Sequence, residues 1–148
     1  MIKVVRGNVV DAVLNEECDF MLHITNAQQT MGSGVAKEVR GRIPSAYTNY
    51  LHLPKNEPNV SFSDCMKVVN LTAQQYYGYD GKRYLKYDWL VKCLLELQNF
   101  EFGLQDRFEE GDLKIAIPYL MGSDRAGGDW NTVCADRDWE TLHQPIVF

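Results

Sequence analysis

The sequence predicts an α/β fold in which a mostly parallel sheet is sandwiched between helices. Apolar, β-rich segments alternate with segments whose apolar residues recur at helical spacing, and this alternation is typical of the fold class. Two glycine-bearing loops each follow an apolar segment and precede a predicted helix. The chain has 148 residues, of which 45% are hydrophobic, and it contains no internal repeat. We therefore expect one domain spanning residues 1–148.

The first half of the chain contains the segments around the first loop. The run "DFMLHIT" is almost continuously apolar, as expected for a strand covered on both faces. Val35, Val39 and Ile43 recur at helical spacing, and Pro44 disfavours helix in the residue before it. The predicted elements are a strand over 2–6, a short helical turn or loop over 11–18, a strand over 19–25, a helix over 34–44 and a short helix over 44–53.

The second half contains the most strongly periodic helix of the sequence. Leu90, Leu94 and Leu97 recur at three- and four-residue steps and define an apolar, core-facing side. The predicted elements are a polar loop over 54–64, a strand over 65–75, a loop or edge hairpin over 76–84, a helix over 87–103, a strand over 114–118, a glycine loop over 121–130, a short helix over 129–138 and a last edge strand over 145–148.

Composition and charge limit the possible ligands. The net charge is −5, so the broad basic surface of a nucleic-acid-binding protein is not expected. The four cysteines and three histidines are scattered without metal-ligand spacing, so no metal site and no cofactor is expected, and the thiols should be reduced and mostly buried. No apolar run approaches the roughly 20 residues needed to span a bilayer. We expect a cytoplasmic protein with a small-molecule ligand and no membrane partner.

The two loops predict a site for an anionic ligand. They read "HITNAQQTMGSGVAK" over 23–37 and "MGSDRAGGDW" over 121–130. Loops at the carboxyl ends of parallel strands converge on one crevice, and glycine allows backbone N–H groups to approach a phosphate closely. Neither loop has the spacing of a P-loop or of a dinucleotide fingerprint. An acidic protein would then hold an anion by backbone N–H groups at a helix N-terminus.

The sequence resembles the macrodomain family, in particular the branch with ADP-ribose-1″-phosphate phosphatases and ADP-ribosyl-glutamate hydrolases. The resemblance lies in "KVVRGNV", "MLHITNAQQTMGSGVAKEV", "VVNLTAQQYYGYDGKRYLKYDWL" and "IAIPYLMGSDRAGGDW", which occur in the family's order and cover nearly the whole chain. The tail over 134–148 is the least similar part. The resemblance implies a three-layer α/β/α macrodomain with a mixed, mostly parallel central sheet.

The resemblance also implies roles for individual residues. The expected catalytic residues are His23, Asn26 and Asp124, with His23 moving a proton and Asn26 orienting the distal ribose. Purely structural roles stay open for three of these residues. Asn8 also fits a turn, Asn26 also fits the cap of a loop, and His23 also fits a buried core histidine. The expected ligand-binding residues are Asn8, Val9, Asn26, Gly32, Ser33, Gly34, Val35, Ala36, Gly122, Ser123, Arg125, Ala126 and Gly127.

The activity implied first is metal-independent hydrolysis of ADP-ribose 1″-phosphate to ADP-ribose and phosphate. On this hypothesis a His23→Ala variant loses phosphate release and keeps ADP-ribose binding. One alternative is removal of ADP-ribose from modified protein or nucleic acid, which is the only setting in which a nucleic acid is expected as a partner. Lys82 and Lys86 do not fall on the lysine position of that branch, and Ala126 occupies its aspartate position. The other alternative is a module that binds ADP-ribose without turnover.

Overall fold

The computed structural model of the protein describes residues 3–78, 82–104, 114–119, 121, 129, 131 and 145–148. Strands and helices alternate along these residues, as the sequence predicts. In chain order the elements are β1 (Lys3–Val4), α1 (Val9–Leu14), β2 (Phe20–Asn26), α2 (Gly34–Arg42), α3 (Pro44–Tyr50), β3 (Asn59–Phe62), β4 (Val68–Gln74), α4 (Tyr87–Leu104), β5 (Ile115–Ile117) and β6 (Pro145–Val147).

The strands form one six-stranded sheet in the order β1-β6-β5-β2-β4-β3. All neighbouring strands are parallel except β3, which runs antiparallel to β4 at one edge. Strand β2 lies inside the sheet between β5 and β4, with Met21 opposite Val68 and Thr25 opposite Thr72. The predicted mixed, mostly parallel sheet is therefore confirmed.

Helices cover both faces of this sheet and make three layers. Because side chains alternate along a strand, Phe20 and Leu22 pack on the face covered by α4, where Leu94 and Leu97 are fully buried. Met21 points to the opposite face and packs with residues of α1, α2 and α3. The near-continuous apolar run of β2 follows from this burial on both sides.

Beyond Met21, the face of β2 under α2 and α3 becomes polar. The Nε2 atom of His23 lies 2.6 Å from Oδ1 of Asn70, the residue directly opposite on β4. Asn70 in turn donates through Nδ2 to the carbonyl of Ala46 and to the hydroxyl of Ser61, both at 3.0 Å. Asn70 is fully buried, so these bonds replace the hydration that its amide loses on folding.

Two predictions from the sequence are wrong at the edges of the sheet. The segment 54–64, predicted to be a loop, contains β3, whose short alternating run "NVSF" pairs with β4 after a loop rich in proline. The last strand is not at an edge, because β6 lies between β1 and β5. Its position is secured on both sides, since Val5 N–H donates to the carbonyl of Val147 and Phe148 N–H to that of Ile117, both at 2.8 Å.

Other predictions agree with the structure or lie outside the part that it describes. In the segment 76–84 the structure shows no strand in its described residues, although Leu85, just after it, forms an isolated antiparallel bridge with Gln74. The short helix predicted over 129–138 lies almost wholly outside the described residues. Cys18 and Cys93 are buried free thiols, and Cys65 is an exposed one. None of the helices described here has the length and apolar character to cross a membrane.

Replacing Asn70 by alanine should strongly destabilise the fold. The Asn70→Ala variant leaves the His23 ring N–H, the Ala46 carbonyl and the Ser61 hydroxyl without their buried partner. We expect the free energy of unfolding to fall by about 3 kcal/mol. Urea unfolding measures this, with Asn99→Ala on the exposed side of α4 as the matched control. That control should stay within about 0.5 kcal/mol of wild type. Equal losses in both variants would show that the buried network contributes nothing specific.

Candidate ligand-binding crevice

A crevice of about 530 Å³ opens at the carboxyl ends of β2 and β4 and just beyond β5. Its volume lies in the range of about 300–1,000 Å³ that small-molecule sites occupy. This is the edge at which ligands bind in open α/β sheets. The residues from the strand ends that line it are His23, Ile24, Thr25, Asn26, Gln74 and Pro118.

The loop from β2 to α2 and the first turn of α2 form a second wall. Gly34 has φ +59°, in the left-handed region that favours glycine, and α2 begins there. The Ser33 side chain does not cap α2. The first backbone hydrogen bond of this helix runs from the Lys37 N–H to the Ser33 carbonyl, at 3.2 Å. The N–H groups of residues 34–36 therefore have no partner within the helix. The residues of this wall are Thr30, Met31, Gly32, Ser33, Gly34, Val35 and Ala36.

The side chain of Asn26 fixes the path of this loop. Its Nδ2 donates to the carbonyl and to the hydroxyl of Thr30, at 3.0 and 2.8 Å. Its Oδ1 accepts from the N–H of Gln28 at 2.9 Å and from the hydroxyl of Tyr50 at 3.2 Å. Both amide hydrogens of Asn26 are thus committed inside the protein. This geometry favours the loop-capping role of Asn26 over direct contact with a ribose.

Two glutamines anchor the same loop to its surroundings. Gln29 has φ +64°, and its Nε2 donates to the carbonyl of Leu53 at 2.6 Å. The Nε2 of Gln28 donates to Oδ1 of Asn56 at 2.7 Å and to the carbonyl of Gln75 at 2.9 Å. Because side chains hold the loop from several directions, the exposed start of α2 is presented at a fixed place.

His23 lines the crevice but is almost completely buried, with 2% of its surface exposed. Because the Asn70 amide nitrogen donates to a carbonyl, its oxygen faces His23, and Nε2 must carry the proton. Nδ1 is then a bare acceptor, and it has no hydrogen-bond partner in the described structure. Burial lowers the pKa of His23 from 6.5 to about 4, against a smaller opposing effect of the bond with Asn70. This ring is neutral at pH 7, which favours hydrogen bonding over proton donation.

The structure brings together most of the predicted residues of the first loop. His23, Asn26 and residues 32–36 line the crevice, whereas Asn8 and Val9 are not among the described residues that do. Asn8 caps α1, with Oδ1 accepting from Val10 N–H at 2.8 Å, and Val9 is buried in the core. The other predicted residues lie outside the described part of the chain, and their roles stay predictions: Gly122, Ser123, Asp124, Arg125, Ala126 and Gly127.

Several residues of the crevice were not predicted from the sequence. Arg40 lies four residues after Ala36, on the same side of α2, and this spacing could have revealed it. Tyr47 and Tyr77 also line the crevice, but nothing in the local sequence distinguishes them from core or surface tyrosines. Lys82 and Lys86 are not among the described lining residues, and Nζ of Lys86 lies 5.2 Å from the ring centre of Trp89.

No family model matches the sequence, and no curated protein matches it. Solved structures do match the fold. The macrodomain of Mycobacterium tuberculosis DarG is 15% identical, with a TM-score of 0.69, over 99% of this chain and 96% of that one. The macrodomain of Thermus aquaticus DarG is 20% identical, with a TM-score of 0.70, over 100% and 97%. A Bacteroides thetaiotaomicron protein of unknown function is 17% identical, with a TM-score of 0.68, over 100% and 97%. At these identities the similarity shows a shared fold.

Acidification should destabilise wild type more than a His23→Gln variant. The pKa of His23 is about 4 in the folded protein and about 6.5 in the unfolded chain. Between these values the unfolded chain binds a proton that the folded protein excludes, so stability is lost as the pH falls from about 6.5 towards 4. The contribution of His23 to this loss is about 3 kcal/mol. Glutamine does not titrate, and its amide can still donate to Asn70.

Urea unfolding at pH 7.5 and pH 4.5 measures this difference. The carboxylates titrate in both proteins, so subtracting one pH dependence from the other isolates His23. An equal loss of stability in both proteins would show that His23 is not held neutral.

Proposed function

We propose that this chain, which has the macrodomain fold, binds ADP-ribose or a close derivative in the crevice. The pyrophosphate would lie against the N–H groups of residues 34–36, and the rest of the nucleotide would occupy the crevice. One observation carries the proposal: residues 34–36, whose N–H groups have no intrahelical partner, line the crevice at the positive end of α2. The resemblance of both glycine loops to macrodomain loops supports this class of ligand.

The charges around the crevice suit an anion although the chain is acidic. No Asp or Glu is among the described residues that line it, and Arg40 is the one cation among them. The neighbouring carboxylates of Asp11 and Glu38 are paired with Arg42, at 2.7 and 3.0 Å. An anion at the start of α2 therefore meets backbone dipoles and one guanidinium, with the described carboxylates held away from it.

Replacing Gly34 by alanine should weaken ADP-ribose binding. A Cβ at φ +59° is strained, and the backbone relieves the strain by rotating, which turns the first N–H groups of α2 away from the crevice. We expect the dissociation constant for ADP-ribose to rise about 10-fold or more. Calorimetry measures it, with Gly41→Ala as the control, since Gly41 lies in the same helix and a Cβ there meets open space. Unchanged affinity in Gly34→Ala would contradict the placement of the pyrophosphate.

We further propose that the chain hydrolyses ADP-ribose 1″-phosphate. Water cleaves the phosphate ester, which leaves ADP-ribose with a free anomeric hydroxyl and inorganic phosphate. Because His23 is neutral at pH 7 and its Nε2 proton is bonded to Asn70, we assign the proton transfer to Asp124 in the second loop. His23 would serve as a fixed acceptor through Nδ1, and Asn26 would act by holding the loop.

Binding without turnover is the second candidate, and one observation favours it. Among the described lining residues, none is a carboxylate, and the single histidine has a pKa of about 4. The described part of the wall, which has no group that titrates near pH 7, is better suited to holding a nucleotide than to moving its protons. Removal of ADP-ribose from protein or nucleic acid has no comparable support, since Lys82 and Lys86 are not among the described lining residues.

A turnover panel separates these functions. The substrates are ADP-ribose 1″-phosphate, O-acetyl-ADP-ribose and an ADP-ribosylated peptide or DNA strand, with phosphate and ADP-ribose release as readouts. We expect phosphate release that falls about 100-fold or more in Asp124→Asn, with ADP-ribose binding retained. His23→Gln should stay within about 10-fold of wild type. Binding without any turnover would select the binding module, and release of ADP-ribose from peptide or DNA would select the hydrolase of modified macromolecules.

A further inference from the structure

Residues 50–56 hold the loop that follows β2 from outside the crevice, and we call this segment the brace. It consists of the last residue of α3 and the turn that follows. None of the described residues that line the crevice belongs to it. Tyr50 is 1% exposed, whereas residues 51, 52 and 54–56 are exposed. The brace therefore links the outer surface to the base of the loop.

Four successive residues at the start of the loop are bonded to the brace. The Asn26 carbonyl accepts from the Tyr50 hydroxyl, and the next carbonyl, that of Ala27, accepts from the Asn56 N–H at 3.2 Å. Nε2 of Gln28 donates to Oδ1 of Asn56 at 2.7 Å. Loop and brace are thus joined over consecutive residues, so one cannot shift without breaking hydrogen bonds to the other.

The fourth of these residues, Gln29, has a strained backbone. Its φ of +64° lies in the left-handed region, which is unfavourable for a residue with a side chain. Nε2 of Gln29 donates to the carbonyls of Leu51 and Leu53, at 3.1 and 2.6 Å. Such a conformation persists only where its surroundings hold it, and the brace supplies these hydrogen bonds. A loop released by the brace would therefore relax to other conformations.

The Tyr50 hydroxyl lies at the centre of this contact. It is directed at the Asn26 carbonyl, and Oδ1 of the same residue is 3.2 Å away. Burial raises the pKa of Tyr50, and hydrogen bonds from the backbone of Thr30 and Gln29 oppose this rise. The hydroxyl thus meets the loop at both ends of the turn between Asn26 and Thr30. Because Tyr50 does not line the crevice, it can act on a ligand only through this loop.

The braced turn continues directly into the wall of the crevice. Thr30 lines the crevice, and α2 begins at Gly34. The three residues between them line the crevice as well. A turn that shifts at Thr30 therefore moves the wall itself, and the crevice binds a ligand only in the fraction of molecules in which the turn is in place.

We propose that Tyr50 is a positioning residue for the bound ligand and that the brace sets the affinity of the crevice from outside it. The proposal rests on the proposed function, in which ADP-ribose occupies the crevice. Coupling between two sites is reciprocal, so a ligand that requires the braced loop must also stabilise the hydrogen bonds between loop and brace. ADP-ribose should therefore slow hydrogen exchange in the brace, which it does not touch.

Replacing Tyr50 by phenylalanine tests the effect on affinity, because the variant keeps the buried ring and loses only the hydroxyl. We expect the dissociation constant for ADP-ribose, measured by calorimetry, to rise about 10-fold. The matched control is Ser63→Ala, which removes a buried hydroxyl that accepts from the Val68 N–H, away from the crevice and the brace. Urea unfolding should show that both variants are destabilised, whereas Ser63→Ala should bind ADP-ribose within about 2-fold of wild type.

A second variant, Asn56→Gly, tests the exposed end of the brace. Asn56 has φ +64°, which glycine adopts freely, so the substitution removes the side-chain acceptor of Gln28 without straining the backbone. ADP-ribose should bind about 3-fold more weakly, since Gln28 keeps its second hydrogen bond, to the Gln75 carbonyl.

Hydrogen exchange measures the reciprocal effect. Saturating ADP-ribose should slow exchange of the Asn56 N–H in wild type and leave that of the Met66 N–H, which bonds to the Ser63 carbonyl, unchanged. In free Tyr50→Phe the Asn56 N–H should exchange faster than in free wild type.

Three results would each overturn the inference: unchanged affinity in Tyr50→Phe, an equal loss of affinity in Ser63→Ala, or no slowing of the Asn56 N–H by ADP-ribose. Should Tyr50→Phe not fold, unchanged affinity in Asn56→Gly would overturn it in the same way. Failure of the proposed function looks different, because wild type would then not bind ADP-ribose at all.

Discussion

The geometry of the crevice depends on the hydrogen bonds of one side chain, that of Asn26. It ends the central strand β2, closes the following loop on Thr30, and contacts α3 through Tyr50, whose hydroxyl also donates to the Asn26 carbonyl. Burial raises the pKa of Tyr50, so its hydroxyl stays protonated and remains a donor. Sheet, loop and α3 are thereby held together at one residue. A displaced Asn26 would leave several buried polar groups unsatisfied at once, so this loop has little freedom to take another path.

The floor of the crevice shows how β2 serves both core and site. On the face under α2 and α3, Met21 is apolar, whereas His23 and Thr25 nearer the crevice are polar. Each polar residue is bonded to its direct neighbour on β4, with the hydroxyls of Thr25 and Thr72 2.9 Å apart. Apart from His23 Nδ1, which has no described partner, these side chains bond to one another across the two strands, and the bonded floor resists deformation when a ligand binds. Burial in this floor lowers the pKa of His23, while the bond with Asn70 has a smaller effect in the opposite direction.

The sequence predicted those parts of the fold that local patterns encode. The apolar run of β2 and the periodicity of α4 each indicated an element and its environment. A strand buried on both faces is apolar almost throughout, whereas a helix buried on one side has apolar residues at three- and four-residue steps. Strand β3 was missed, since an alternating run of only four residues is too short to stand out after a polar loop. The position of β6 inside the sheet depends on the strand order, which local sequence patterns do not indicate. In the site, glycines predicted the open helix start, but the commitment of Asn26 and the neutrality of His23 arise from partners on distant segments.

The positions of the charged side chains around α2 explain how a chain with a net negative charge can bind an anionic ligand. Net charge acts over the Debye length of about 8–10 Å, whereas hydrogen bonds and ion pairs act at contact. On one side of α2, Arg42 pairs with both Asp11 and Glu38, and Glu38 also accepts a bond from Asn8 at 3.2 Å. Arg40 lines the crevice, as do residues 34–36, whose N–H groups have no partner within the helix. Backbone dipoles recognise any phosphate in the same way, so they supply affinity without discrimination. Discrimination between ligands must therefore come from the side chains that line the crevice, of which Arg40 is the cation among the described residues.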